Sequence, residues 1–152
     1  EVLGELDIVT ASLHSSLRQP RDKITERLLN AVRNQHVDVI GHPTGRLLPD
    51  REGADLDMDA VLKGAQASGV ALEINSHPAR LDLEDVYARR AIEMGIKLAI
   101  NTDAHSQSDL ELLHFGVATA RRGWVEPQHV LNTWSQDMLL NWLRARGKTT
   151  GM

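Results

Sequence analysis

Short runs of apolar residues alternate along the chain with longer segments in which apolar residues recur every three or four positions. The short runs predict four β-strands, at residues 7–12, 37–40, 70–75 and 97–101. The longer segments predict five helices, at residues 20–33, 57–68, 82–94, 109–122 and 135–146. Strands that alternate with helices are typical of a parallel sheet built from βαβ units. The pattern therefore predicts an α/β fold, and it fits both a TIM-like barrel and an open doubly wound sheet.

Two of the predicted helices carry recognisable end signals. The second helix is followed by Gly69, and one of its faces is apolar, with Met58, Val61 and Leu62 among its members. The third helix is preceded by Asp82, a residue type that often caps a helix N-terminus. These signals predict a helix that stops at residue 68 and another that starts next to Asp82.

Length and composition suit a globular domain or a piece of one. The chain has 152 residues, of which 41% are apolar and 25% charged. It opens at Glu1 and not at a methionine, so we expect an excerpt from a longer protein. No apolar run approaches the roughly 18 residues that span a bilayer, and no signal peptide is visible, so no membrane partner is expected.

Cysteine content and charge narrow the possible functions. The absence of cysteine excludes disulfides and thiolate metal ligands, and it fits a cytoplasmic location. The net charge of −4 argues against a domain that grips nucleic acid by bulk electrostatics, but it permits a site for one or two phosphates. Three tryptophans lie in the C-terminal third, and we interpret them as packing residues: Trp124, Trp134 and Trp142.

Polar side chains with useful chemistry follow each of the four predicted strands. His14 comes after the first strand and His42 after the second, Asn75 ends the third, and Asp103 follows the fourth. The carboxyl ends of parallel strands share one edge of a sheet, where active sites of α/β proteins form. We therefore expect these four residues to converge.

Imidazole and carboxylate groups at such an edge predict a metal site. They suit Zn²⁺, Mn²⁺ or Fe²⁺, and His105, two residues after Asp103, adds a fourth candidate ligand beside His14 and His42. A single histidine at a strand end is usually only exposed or hydrogen-bonded, but candidates after every strand favour a metal cluster that activates water. His36, His114 and His129 lack this placement.

Other residues on the same loops are candidates for contacting a substrate. Arg18 and Arg46 each follow a candidate histidine by four residues and could neutralise a phosphate, although solvated loop arginines fit the pattern equally well. Asn75 and His77 end the third strand and offer hydrogen bonds. Glu73, which alternates with Asn75, is interpreted as a buried structural carboxylate.

Four stretches of the chain together resemble the later motifs of PHP phosphoesterases. They are Ala-Ser-Leu-His-Ser at 11–15, Ile-Gly-His-Pro-Thr-Gly-Arg at 40–46, Leu-Glu-Ile-Asn-Ser-His-Pro-Ala-Arg at 72–80, and Asn-Thr-Asp-Ala-His at 101–105. The second and third look specifically like the PHP domain of bacterial family X DNA polymerases. The resemblance extends from about residue 7 to residue 146.

The resemblance implies a fold, a metal set and an activity. The family has a distorted seven-stranded βα barrel, TIM-like, that holds up to three divalent metal ions such as Mn²⁺ or Zn²⁺. By resemblance, His14 and His42 would share one ion, Asp103 would bind a second, and His105 a third. The activity implied is manganese-dependent 3′-5′ exonuclease action on DNA 3′ ends, beside an upstream polymerase domain in the same chain.

The family's early motifs have no counterpart before His14, since only a short segment precedes it. We therefore expect residues 1–146 to form the C-terminal part of the barrel, and residues 147–152 a disordered tail. With so few ligands, the chain alone is expected to bind metal poorly and to be inactive.

Three other functions remain open at this stage. A small-molecule phosphatase of the histidinol-phosphatase type would use the same chemistry. A non-catalytic PHP remnant that supports a polymerase would keep the fold without the activity. An unrelated amidohydrolase barrel fits the residues at the strand ends but not the specific motifs.

Overall fold

A computed structural model describes residues 2–147, and it contains a four-stranded parallel sheet. The strands are β1 (Thr10–Ala11), β2 (Val39–Ile40), β3 (Ala71–Asn75) and β4 (Leu98–Asn101). They lie side by side in chain order, with Thr10 opposite Val39, Ile40 opposite Leu72, and Asn75 opposite Asn101. The predicted α/β fold is confirmed. The strand order contains no reversal, so this sheet lacks the switch point of a doubly wound fold.

Five α-helices accompany the sheet: α1 (Arg21–Val32), α2 (Met58–Ser68), α3 (Asp85–Glu93), α4 (Leu113–Arg122) and α5 (Gln136–Ala145). Helix α2 stops as predicted, because Gly69 takes up the left-handed conformation at φ 66°. The prediction that Asp82 caps α3 is wrong. Helix α3 starts three residues later, and the buried Asp82 carboxylate instead accepts hydrogen bonds from the backbone of Thr44 and Gly45. Residues 107–112, predicted as α-helix from 109, instead form a 3₁₀ segment before α4.

The main core lies on one face of the sheet, beneath α1 to α4. Ile40, Leu72 and Leu98 point into it from the strands and are fully buried. The apolar face predicted for α2 packs there, and Val61 and Leu62 are inaccessible to solvent. This face therefore fixes the strands, and through them the loops at their carboxyl ends.

The opposite face of the sheet carries smaller residues. Val39, Ala71 and Ala99 pack there against Leu131, and Trp134, Leu139 and Trp142 cover them in part. The packing role predicted for Trp134 and Trp142 is confirmed. It is wrong for Trp124, which follows α4 and is 74% exposed.

The C-terminal helix is tied to the sheet near its end. The Arg146 guanidinium donates to the buried Asp38 carboxylate at 3.3 Å and also binds backbone carbonyls of Val37 and Ser68. The tail predicted at residues 147–152 lies outside the described residues, apart from Gly147. Among residues 2–147, the helices are too short or too polar to cross a bilayer.

Candidate functional site

The loops after all four strands open onto the same edge of the sheet, because the strands are parallel. The structure brings two of the predicted ligands into direct contact there. The imidazole rings of His14 and His42 meet edge to face, with centroids 4.9 Å apart. His14 is exposed and His42 is 5% exposed, so one ring faces solvent while the other lies beneath it.

The imidazole of His42 is buried, and its surroundings favour the neutral form of the ring. Burial lowers the pKa of His42 below its ordinary value, and the positive charge of Arg80 lowers it further. The Nδ1 atom of His42 has no hydrogen-bond partner within the described residues, although it is buried. A buried ring nitrogen without a protein partner is unusual, and a lone pair at that position suits a metal ion.

Glu73, on β3, holds the backbone of His42 in place. Its Oε2 accepts a 2.6 Å hydrogen bond from the amide of His42, and its Oε1 accepts one of 2.8 Å from Asn101. Asn75 adds a third, longer bond of 3.4 Å. Burial raises the pKa of Glu73, and these hydrogen bonds oppose the rise. The interpretation of Glu73 as a buried carboxylate is confirmed, and its bond to His42 makes it part of the site.

A second buried carboxylate holds the rest of the same loop. Asp82 accepts hydrogen bonds from the amide and hydroxyl of Thr44, each at 3.0 Å, and from the amide of Gly45 at 2.8 Å. Its own burial raises the pKa of Asp82 to about 6. Sequence reasoning missed this role because an aspartate just before a helical pattern also fits a cap.

The turn after β3 is built by Asn75 and His77. Asn75 is fully buried, and its Oδ1 accepts a 3.0 Å bond from the amide of His77. The Nδ1 of His77 accepts from the amide of Ala79 at 3.2 Å. Asn75 thus shapes the turn from within, while the partly exposed His77 leaves its Nε2 without a hydrogen bond among the described residues.

Asp103 and His105 lie after β4, but their side chains face different partners. The Asp103 carboxylate accepts from Nε of Arg80 at 3.2 Å. His105 is exposed, and its Nδ1 lies 2.6 Å from the carbonyl oxygen of Asp103, which assigns the proton to Nδ1. The lone pair of His105 is therefore on Nε2, the tautomer that metal-binding histidines adopt when a carbonyl holds the other nitrogen.

The two arginines predicted to contact substrate are placed differently from each other. Arg46 is mostly buried and donates to the carbonyls of Arg80 and Leu81 and to the Glu84 carboxylate. Arg18 is exposed and lines a cleft with Asp50 and Arg51 that includes none of the predicted metal ligands. Contact of either arginine with a substrate stays a prediction.

Within residues 2–147, no three histidine, aspartate or glutamate side chains come close enough together to hold one ion. Two features of the donor set nevertheless fit a divalent metal: the unpartnered Nδ1 of His42 and the lone pair of His105 at Nε2. The described residues therefore offer candidate donors for a metal ion, but no group of the three protein ligands that a catalytic site typically uses.

Known proteins resemble most of this chain. It is 48% identical over 132 residues to the DNA polymerase/3′-5′ exonuclease PolX of Bacillus subtilis, a match that covers 87% of this chain and 23% of that protein. A probable phosphatase of Thermoanaerobacter sp. is 34% identical over 141 residues, covering 87% of this chain and 55% of that protein. A probable phosphatase of Caldanaerobacter subterraneus is 31% identical over 159 residues, covering 99% of this chain and 60% of that protein. No family model matches the chain.

Proposed function

We propose that this chain is part of a metal-dependent phosphoesterase domain of the PHP type, which acts as a 3′-5′ exonuclease on DNA ends. The observation that carries the proposal is the buried His42, with an unpartnered ring nitrogen, against His14 at the carboxyl edge of the sheet. Its similarity to a polymerase with 3′-5′ exonuclease in its name and to proteins named phosphatases supports a phosphoester as the substrate.

The four strands would form part of a seven-stranded barrel. Their unbroken order supports this, as does the division of the sheet into a helix-covered face and a face of small residues such as Ala71 and Ala99. The chain spans only 23% of the Bacillus subtilis relative, so the remaining strands and ligands would be supplied by other parts of a longer protein.

The candidate ligands have distinct roles in this proposal. His14 and His42 would hold one divalent ion, Mn²⁺ or Zn²⁺, Asp103 a second and His105 a third. Bound ions would supply Lewis-acid stabilisation of the charge that develops on the phosphoryl oxygens. Glu73 orients His42 through the backbone, and neutral His42 offers its lone pair without first losing a proton. His77, Asn75 and Arg46 would line or support the substrate site, whereas Arg18 lines a separate cleft and would contact only a substrate that extends there.

The DNA 3′ end and an upstream polymerase domain are the proposed partners. With a net charge of −4, the chain offers little general attraction for DNA, so recognition would rest on the end itself. A polymerase domain in the same protein would hold the duplex near the site.

His42→Ala tests the proposal in the natural protein that contains this chain. The replacement should abolish manganese-dependent release of 3′-terminal nucleotides from a labelled oligonucleotide and spare nucleotide addition. His36→Ala is the matched control, because His36 is a partly exposed histidine that precedes β2 and so lies at the opposite edge of the sheet. Undiminished nuclease activity in the His42 variant would refute the assignment.

A small-molecule phosphatase is the second candidate, favoured by the two relatives named phosphatases. Hydrolysis of a sugar or amino-alcohol phosphate by the same preparation, lost in the His42 variant, would support it. The activity of the unaltered protein on this small phosphate ester should then exceed its activity on oligonucleotides. A protein that hydrolyses neither class at any metal concentration would instead be a non-catalytic remnant.

A further inference from the structure

Arg80 is an arginine of the site that the sequence pattern did not single out. It lies in the turn after β3, and its side chain is 18% exposed. Its Nε donates to the Asp103 carboxylate at 3.2 Å, so its guanidinium bridges the loops after β3 and β4. Arg80 thus lies among the candidate ligands, while Arg18 lines another cleft.

Arg80 and Arg46 brace each other through their backbones. The Nε of Arg46 donates to the carbonyl of Arg80 at 2.5 Å, and the Nη1 of Arg80 donates to the carbonyl of Arg46 at 3.3 Å. This reciprocal pair turns the two guanidinium groups in different directions. Arg46 is directed to Leu81 and Glu84, and Arg80 to Asp103.

The two guanidinium groups differ in how far their donors are used. All three nitrogens of Arg46 donate to carbonyl or carboxylate oxygens, and its charge is balanced by Glu84. In Arg80, Nη2 has no hydrogen bond within the described residues, and the two bonds of the side chain are long, at 3.2 and 3.3 Å. Arg80 therefore keeps donors for a ligand, and a guanidinium fork matches two oxygens of a phosphate.

The charge around Arg80 also fits an anionic ligand. Its single ion-pair partner in the described part of the chain is Asp103, which is itself a candidate metal ligand. A divalent ion at Asp103 would neutralise the carboxylate that Arg80 now faces. The guanidinium charge would then be left for an anion, so metal and phosphate would favour each other's binding.

We propose that Arg80 binds the phosphate group of the substrate, and that Arg46 is its brace and not itself the phosphate ligand. The inference rests on the proposed phosphoesterase function and names the residue that recognises its substrate class, a phosphate monoester or diester.

Binding experiments on the natural protein that contains this chain test the proposal without using hydrolysis. Affinity for thymidine 5′-monophosphate, a monoester, and for dithymidine monophosphate, a diester, is measured by calorimetry with His42→Ala as background, so that turnover does not interfere. Free Mn²⁺ is counted separately by electron paramagnetic resonance. The variants Arg80→Gln and Arg80→Lys are compared with Arg89→Gln, an exposed arginine on α3 that pairs with Glu93.

We expect Arg80→Gln to weaken binding of the preferred phosphate by about tenfold to a hundredfold, the range for charge-assisted hydrogen bonds. Manganese affinity should be unchanged or higher, because the competing charge beside Asp103 is removed. Arg80→Lys keeps the positive charge but loses the two-pronged guanidinium geometry, so its phosphate affinity should lie between those of the parent and Arg80→Gln. Arg89→Gln should bind phosphate as tightly as the parent. The ester that loses more affinity is the natural class.

Two results of the binding experiments would overturn the proposal. One is phosphate affinity within twofold of the parent in both Arg80 variants. The other is parallel loss of phosphate and manganese affinity in Arg80→Lys, which would mean that Arg80 only maintains the structure. Nuclease activity unaffected by Arg80→Gln in the otherwise unaltered protein would leave the proposed function standing without this role for Arg80. Phosphate binding that depends on Arg80, in a protein that hydrolyses no phosphoester, would support this role of Arg80 and contradict the proposed function.

Discussion

At the scale of single residues, the site depends on how buried polar groups are partnered. His42 is held by its amide and left unpartnered at its ring, and the carboxylate that holds it accepts three N–H groups. Buried polar groups are almost always satisfied, and within residues 2–147 two buried atoms are not, the Nδ1 of His42 and the hydroxyl oxygen of Ser76. Of these, the His42 nitrogen belongs to the ring that contacts His14, and it is therefore the position where we propose that a ligand binds. Glu73 therefore positions the backbone of His42, and the His42 ring is the group that we propose binds the ion.

Glu73→Gln should destabilise the protein by roughly 1–3 kcal/mol, the cost of leaving a buried donor without an acceptor. The glutamine amide offers one acceptor oxygen where two carboxylate oxygens now receive N–H groups, so one donor would face another donor. The lost hydrogen bond costs more than is gained by no longer burying a charged carboxylate, because three N–H donors surround this position. Urea denaturation at pH 7 measures the change. Glu93→Gln, on the exposed side of α3, should change stability by a few tenths of that amount, and equal effects would contradict the account.

The sequence made the candidate ligands visible but not their surroundings. Histidines and an aspartate after successive strands are a pattern in the chain itself, and Glu73 was readable as a buried carboxylate from its place within an apolar strand. The Arg80–Asp103 pair joins residues 23 positions apart, and no local pattern encodes it. Arg46 and Arg80 follow their strands in similar ways, so only their mutual bracing distinguishes their roles.

At the scale of elements, the loop after β2 is held at both ends by hydrogen bonds to carboxylates. Glu73 holds His42, and Asp82 holds Thr44 and Gly45. Because both acids belong to β3 or the segment after it, the position of this loop is set by the neighbouring strand. Helix boundaries were predictable where a residue type has one common role, as for Gly69 at the end of α2. They were not predictable where a residue could have two roles, as for Asp82, which could cap a helix but instead holds the loop after β2.

The raised pKa of Asp82, about 6 against an ordinary 3.8, predicts a pH-dependent stability. Between those values the folded protein binds more protons than the unfolded chain, so the free energy of unfolding falls as the pH rises through the window. In Asp82→Asn this titration is absent. From pH 4 to pH 7, the parent should therefore lose roughly 2.4 kcal/mol of stability relative to the variant.

Urea denaturation of the parent and the Asp82 variant at several pH values measures that difference. Other titrating groups contribute equally to both proteins and cancel, and any constant cost of the altered hydrogen bonds appears only as an offset. Asp59→Asn, at an exposed position on α2, is the control and should show no such trend around pH 6. A difference that stays constant with pH, or grows in the parent's favour, would contradict the account of Asp82.

At the scale of the whole molecule, alternation of strands and helices was enough to predict the α/β class, because short apolar runs become strands once both faces are covered. It did not decide between barrel and open sheet. That choice depends on strand order, which arises from long-range pairing and not from local pattern. In the described residues the strand order is sequential.

Above all, we propose that His14 and His42 together hold a divalent ion. Anomalous diffraction at the zinc edge, from crystals of the natural protein that contains this chain grown with Zn²⁺, tests it most directly. We expect an anomalous peak about 2.1 Å from an imidazole nitrogen of each of these two histidines. Zinc bound only at other positions, with the His42 ring nitrogen hydrogen-bonded to a protein group instead, would contradict it.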